Sequence, residues 1–145
     1  MKKTRALHSG KALLAAMPLF FLIACSAQSL YAPDPEPGLG HYGYSELPID
    51  SSRYEVTFTG NWDTPTQTVD QYALYRSAEL TVDHGFDYFI VEHTRHWTMK
   101  YKHRTELVTT YKMRMYHGTR PDRNSNSYDA KSMLAVAGPT IKRGN

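Results

Sequence analysis

The chain holds a single cysteine, Cys25, placed at the end of an apolar stretch running from Ala12 to Ala24. With no second thiol, no disulfide within the chain can staple the fold, so a domain built from this sequence must be held by its core alone. Lys2, Lys3, Arg5 and Lys11 precede the stretch and Pro18 interrupts it, which is the layout of a secretory leader. A helix that spans a bilayer needs about 20 apolar residues, so the run reads as a leader core and not as a membrane span.

The tetrad Leu22-Ile23-Ala24-Cys25 resembles the lipobox of bacterial lipoproteins. The resemblance implies cleavage between Ala24 and Cys25, a diacylglyceryl thioether on the Cys25 sulfur and an acylated new amino terminus. Two or three acyl chains, at ~0.8 kcal/mol per buried methylene, make the attachment effectively permanent. A thioether also removes Cys25 as a nucleophile or metal ligand, so the covalent lipid is the only expected prosthetic group. Ser26, in place of an aspartate at plus two, implies the periplasmic face of the outer membrane under enteric-type sorting, with the inner membrane as the alternative.

Processing changes the meaning of the charge. Of 17 basic residues four precede Cys25, whereas all 14 acidic ones follow it, so the mature chain carries one excess negative charge. The sequence pI near 8.9 therefore describes the precursor, and a basic domain suited to nucleic acid is not expected.

The expected organisation is a signal peptide at 1–24, the lipidated cysteine and a flexible tether at 25–52, and a globular domain at 53–145. Ala32-Pro33-Asp34-Pro35-Glu36-Pro37-Gly38 favours an extended polyproline II spacer of about 3.1 Å per residue, holding the domain off the lipid surface. Tyr54 to Thr59 alternates with Tyr54, Val56 and Phe58 on one face, a half-buried strand ended by Gly60-Asn61. A helix is expected over Val69–His84, with Thr68 and Gln71 as a capping box and Gly85 as its stop. Its apolar residues form two partial stripes, so it should be covered on more than one side, with Tyr72 and Tyr75 at the shoulders. Phe86 to Val91 reads as a central strand joined to the first by a parallel crossover. The chain then enters a polar tip between His93 and Arg104 and returns as an antiparallel strand from Thr105 to Tyr116. Ser127 is a candidate cap for a short helix over Tyr128–Ala137, closed by Gly138-Pro139. The sum is a small two-layer α+β domain, a three- or four-stranded sheet with about two helices on one face.

The stretch Leu74-Tyr75-Arg76-Ser77-Ala78-Glu79-Leu80-Thr81, followed by Gly85-Phe86-Asp87-Tyr88-Phe89, resembles an uncharacterised family of proteobacterial lipoproteins that share a lipobox, a short linker and one small globular domain. The resemblance implies compartment and layout and carries over no catalytic residue.

Catalytic signals are weak. His84, His93, His96, His103 and His117 cluster in the second half, but His93 and His96 would face opposite sides of a strand and no His-Glu-x-x-His pattern occurs. No Gly-x-Ser-x-Gly elbow surrounds Ser77 or Ser132, and Asp83, Asp87 and Glu92 have no spacing diagnostic of paired carboxylates. Arg76 and Glu79, three apart, suit a helical ion pair.

Arg95, Trp97, Lys100, Lys102 and Arg104 stand out as four fixed cations interleaved with aromatics, suited to an anionic envelope component such as a lipid headgroup phosphate or a peptidoglycan carboxylate. The competing reading is a solvated hairpin tip whose cations are partly neutralised by Glu92 and Glu106. The expected function is a lipid-anchored, non-enzymatic binding or structural module. Its rivals are a small envelope hydrolase or metal-dependent enzyme, and a subunit of an envelope complex that presents Tyr111, Met113 and Met115 on an exposed strand.

Overall fold

The computed structural model describes residues 27–38, 40–121 and 126–144. The leader, Ala24 and Cys25 lie outside the described residues. Strands β1 (Gly43–Pro48), β2 (Arg53–Gly60), β3 (Tyr88–Tyr101), β4 (Arg104–Tyr116) and β5 (Ser127–Asp129) accompany helices α1 (Thr66–Asp83) and α2 (Ala130–Ala137). All five strands form one sheet in the order β1-β2-β4-β3-β5, and every pairing is antiparallel. The α+β class is as expected, with one strand more than the upper expected number.

Alternation in β4 explains its position. Tyr111, Met113 and Met115 are buried beneath the helices with Val56 and Phe58 of β2 and Phe89 and Val91 of β3. β4 is thereby the central strand, a place the sequence reading gave to Phe86–Val91. β2 and β3 run parallel to one another, since both are antiparallel to β4, but β4 lies between them. The expected crossover connects them without making them neighbours. β3 also continues through the supposed polar tip, leaving only Lys102 and His103 as the turn. Beyond Ile90, where β5 ends its pairing, no described strand covers the outer side of β3. Arg95 and Lys100 sit along that edge, where charge discourages strand-to-strand association.

Helix α1 begins at Thr66, with Pro65 preceding it and no side-chain cap. Thr68 therefore lies inside the first turn and the capping box does not form, because Pro65 already sets the entry geometry and accepts the Thr68 and Val69 amides. The C-terminus is as anticipated. Gly85 adopts φ +78°, and its N–H donates to the Val82 carbonyl while that of Phe86 donates to Thr81, both at 2.9 Å. These two bonds make a Schellman stop, which needs a left-handed residue at the glycine position. Helix α1 is enclosed by the sheet, by α2 and by the N-terminal arm, in keeping with its two apolar stripes. Helix α2 is capped by Asp129, whose carboxylate accepts the Ser132 amide at 2.8 Å. Ser127 instead lies in β5, a strand too short to leave an alternating signature.

The tether expected over 25–52 is largely absent, because residues 27–34 dock on the domain and β1 begins at Gly43. Tyr31 is 3% exposed and packs against the rings of Tyr44, Tyr72 and Tyr75. Its N–H donates to the Lys142 carbonyl at 2.7 Å, and its carbonyl accepts from Gly144. Ala32 and Asp34 bond to Tyr44 on the edge of β1. Gly43 permits this approach: it has φ +135°, and a Cβ there would stand 2.4 Å from the Ala32 oxygen. Burial of one large aromatic ring, together with these backbone bonds, outweighs the extended bias of the prolines around it.

Candidate functional site

Register places the site. Gly60 at the end of β2 pairs with Leu107, so Arg104 to Glu106 of β4 project beyond β2 and meet the loop that follows it. Gly43 at the start of β1 pairs with Thr59, which brings Tyr42 to the same end of the sheet. Tyr42, Trp62, Lys102, His103 and Arg104 line a cleft of about 440 Å³ there. The Arg104 guanidinium carbon lies 3.5 Å from the centre of the Trp62 ring, and Tyr42 meets that ring edge-on at 6.4 Å. Among the described residues no carboxylate lines the cleft. Beneath it Glu106 is fully buried and accepts from the Tyr42 hydroxyl at 3.0 Å and the Gly40 N–H at 3.4 Å. Neutral donors thus satisfy Glu106, and Arg104 stacks on an aromatic face instead of pairing with it.

The hairpin turn holds an unusual backbone. Lys102 has φ +56° and is the one non-glycine residue with positive φ among the described residues. Such a conformation brings Cβ close to the following carbonyl oxygen at a cost on the order of 1 kcal/mol, and it fixes where the lysine leaves the turn.

The five basic-tip residues divide. Lys102 and Arg104 enter the cleft. Arg95 lies 5.8 Å from the Trp97 ring, and the two line a separate surface recess on the sheet face away from the helices. Trp97 pairs across to Val108 and Lys100 to Thr105, so the alternation of the strand puts Lys100 on the opposite face. Tyr42 and Trp62, which complete the cleft, escape sequence reading because one precedes β1 and the other follows β2. A cue existed in Asn61-Trp62, a large aromatic left in a turn segment.

Several of the remaining candidates have structural partners. His96 faces the helices and its Nε2 lies 2.9 Å from an Asp70 oxygen that also accepts the Thr109 hydroxyl at 2.6 Å, while His93 stands opposite Lys112 on the other face. Because His96 and Thr109 both meet Asp70, the imidazole does not sit between hydroxyl and acid as a nucleophile relay requires. His84 bridges the Leu80 carbonyl and the Tyr54 hydroxyl, and Ser77 is buried and donates to the Ala73 carbonyl. Asp87 accepts the Gly118 amide, and Glu92 stands 3.0 Å from Arg114 Nε, an ion pair without hydrogen-bond alignment. Among the described residues no three His, Cys, Asp or Glu side chains gather as a metal-binding group. Tyr111, Met113 and Met115 are core residues, so the exposed docking strand proposed for them does not exist.

A second cluster surrounds Glu79. Its carboxylate accepts the Tyr31 hydroxyl and lies 2.9 Å from Arg76 and 3.4 Å from Arg143, while Arg76 also pairs with Glu46. Arg76 and Glu79 thus form the expected ion pair. Burial, reinforced by the hydrogen bond to Glu79, pushes the Tyr31 phenol well above its usual range. Burial alone would lower the Arg76 guanidinium, but its bonds to Glu79 and Glu46 outweigh that and hold it above its ordinary value.

Among the described residues no helix is long and apolar enough to cross a membrane. Compared with protein-family models, curated proteins and solved structures, the chain matches none.

Proposed function

We propose that this chain is a lipid-anchored protein of the bacterial cell envelope that holds an anionic group in the cleft at the hairpin tip and performs no chemistry on it. The anchor is supported by the sole cysteine falling at the one position that a lipobox requires, behind a leader of the right charge and length. Membership of the proteobacterial lipoprotein family that the helix-to-strand stretch resembles belongs to the same proposal, as does the outer-membrane placement.

The observation that carries the binding reading is a cleft with Lys102, His103 and Arg104 in its wall and, among the described residues, no acid lining it. An anion there meets a guanidinium whose position is fixed by stacking on Trp62, so little side-chain freedom is lost on binding.

Two measurements test this. Mass spectrometry of the protein from bacterial envelopes should find Cys25 amino-terminal and acylated; an unmodified sulfur would sink the anchor. Retention on envelope material should weaken about tenfold when Lys102 and Arg104 are both replaced by Ser, and change little for the same replacement of Arg95 and Lys100. Equal losses in the two pairs would return the binding role to the whole basic strand.

A further inference from the structure

We infer that the tip cleft faces the bilayer in which Cys25 is anchored and takes the phosphate of its phospholipid headgroups. The inference rests on the anchor and cleft proposed above and supplies the source of the anion. Chain length and docking carry it. The Ala27 carbonyl accepts from Asn61 Nδ2 at 2.7 Å. Ser29 donates its N–H to Thr64 Oγ1 and accepts the Asn61 N–H at its own hydroxyl, both at 2.8 Å. The start of the described arm is therefore fastened to the residue next to Trp62. Two peptide units separate Cys25 from Ala27, and each spans at most about 3.6 Å, so the lipid-bearing residue reaches no further than about 7 Å from Ala27. A domain fastened so closely to its anchor presents this end of the sheet to the lipid surface.

The groups at that end suit the place. Trp62 is 42% exposed, and an indole with one polar edge favours the level of the headgroups. Lys102 and Arg104 extend from the same tip, and basic side chains are drawn to the headgroups of an anionic leaflet. The mature chain as a whole is close to neutral by composition, so such attraction comes from these local cations and not from the overall field. The Pro33–Pro37 segment lies beyond the docking of Ala27 and Ser29 in the chain, and so cannot act as a spacer between lipid and domain.

The test uses the full lipidated protein with Trp97→Phe, leaving Trp62 as its single tryptophan, in vesicles of phosphatidylcholine with and without phosphatidylglycerol. Circular dichroism first checks that the variant keeps its fold. With lipids brominated near the top of the acyl chains, Trp62 emission should fall by about half. The fall should deepen with phosphatidylglycerol, and this deepening should vanish when Lys102 and Arg104 are both Ser. An added arm inserts about twenty Gly/Ser residues between Ser26 and Ala27, giving the anchor a reach of about 25 Å; the quenching in phosphatidylcholine alone should then decline. A lipidated chain whose Trp62 is not quenched would overturn this inference alone, leaving the cleft to bind a soluble anion. An unmodified Cys25 would overturn the anchor and this inference together.

Discussion

Of the places in this molecule that put arginines against aromatic rings, the clusters around Glu79 and at the hairpin tip differ in where the compensating carboxylates lie. Around Glu79, Arg76 sits over Tyr44 and Arg143 beside Tyr31 and Tyr75, and two acids, Glu79 and Glu46, bind those guanidiniums directly. At the tip, Arg104 sits over Trp62 while the nearby Glu106 is occupied by neutral donors below the cleft. The first arrangement closes on itself and fastens the N-terminal arm to α1. The second directs positive charge into a cavity. The contrast is what the proposed anion site rests on: a stacked arginine is left to meet a ligand when the nearby acid is engaged elsewhere.

Substitutions can break that contrast. The largest effect is expected for Tyr31→Ala, which empties a buried aromatic site and strips a hydrogen bond from Glu79; it should destabilise the domain by about 3 kcal/mol in a thermal or urea transition. A loss of only a few tenths would mean that the arm does not contribute to the fold. Arg104→Ser should leave stability within about 0.5 kcal/mol and lower anion affinity about tenfold, as read by equilibrium titration. The reverse pattern would make the tip a structural cluster like that of Glu79.

Lys102→Gly sharpens the same distinction. Relief of the left-handed backbone should raise stability by about 1 kcal/mol, while loss of the ammonium weakens binding. A variant that is both more stable and as tight a binder would show that this lysine serves only the turn.

The smallest effect concerns the β1–β2 turn, where Asp50 accepts the Ser52 and Arg53 amides and pairs with Arg53 at 2.6 Å. Those backbone and side-chain bonds lower its carboxyl to about 2. A depressed folded value means that its contribution is present above the unfolded pKa of about 4 and is lost as pH falls from there through about 2. Asp50→Asn should remove this contribution near neutrality and make the acid limb of the stability profile shallower over that window, as read by urea transitions at a series of pH values.

Elements with long, regular patterning were legible in the sequence. β2, β4 and the glycine stop of α1 lie where alternation and turn chemistry put them, and the opposite facing of His93 and His96 follows from strand periodicity alone. β5 was missed because three residues cannot display a period, and β1 because Pro48 and the breakers before it resemble linker. The docking of Tyr31 depends on partners at Tyr72, Tyr75 and Arg143, more than 40 positions away, which no local window contains. Half of the candidate site was visible in the same way: Lys102 and Arg104 are neighbours in sequence, whereas Tyr42 and Trp62 join them only through the register of three strands.

The most direct measurement follows the two indole N–H signals of the protein by NMR during titration with pyrophosphate, assigned through Trp62→Phe. The Trp62 signal should move and saturate while that of Trp97, 40% exposed on the uncovered sheet face, stays in place, and Arg104→Ser should abolish the movement. A stationary Trp62, or a shift confined to Trp97, would contradict an anion site at the hairpin tip.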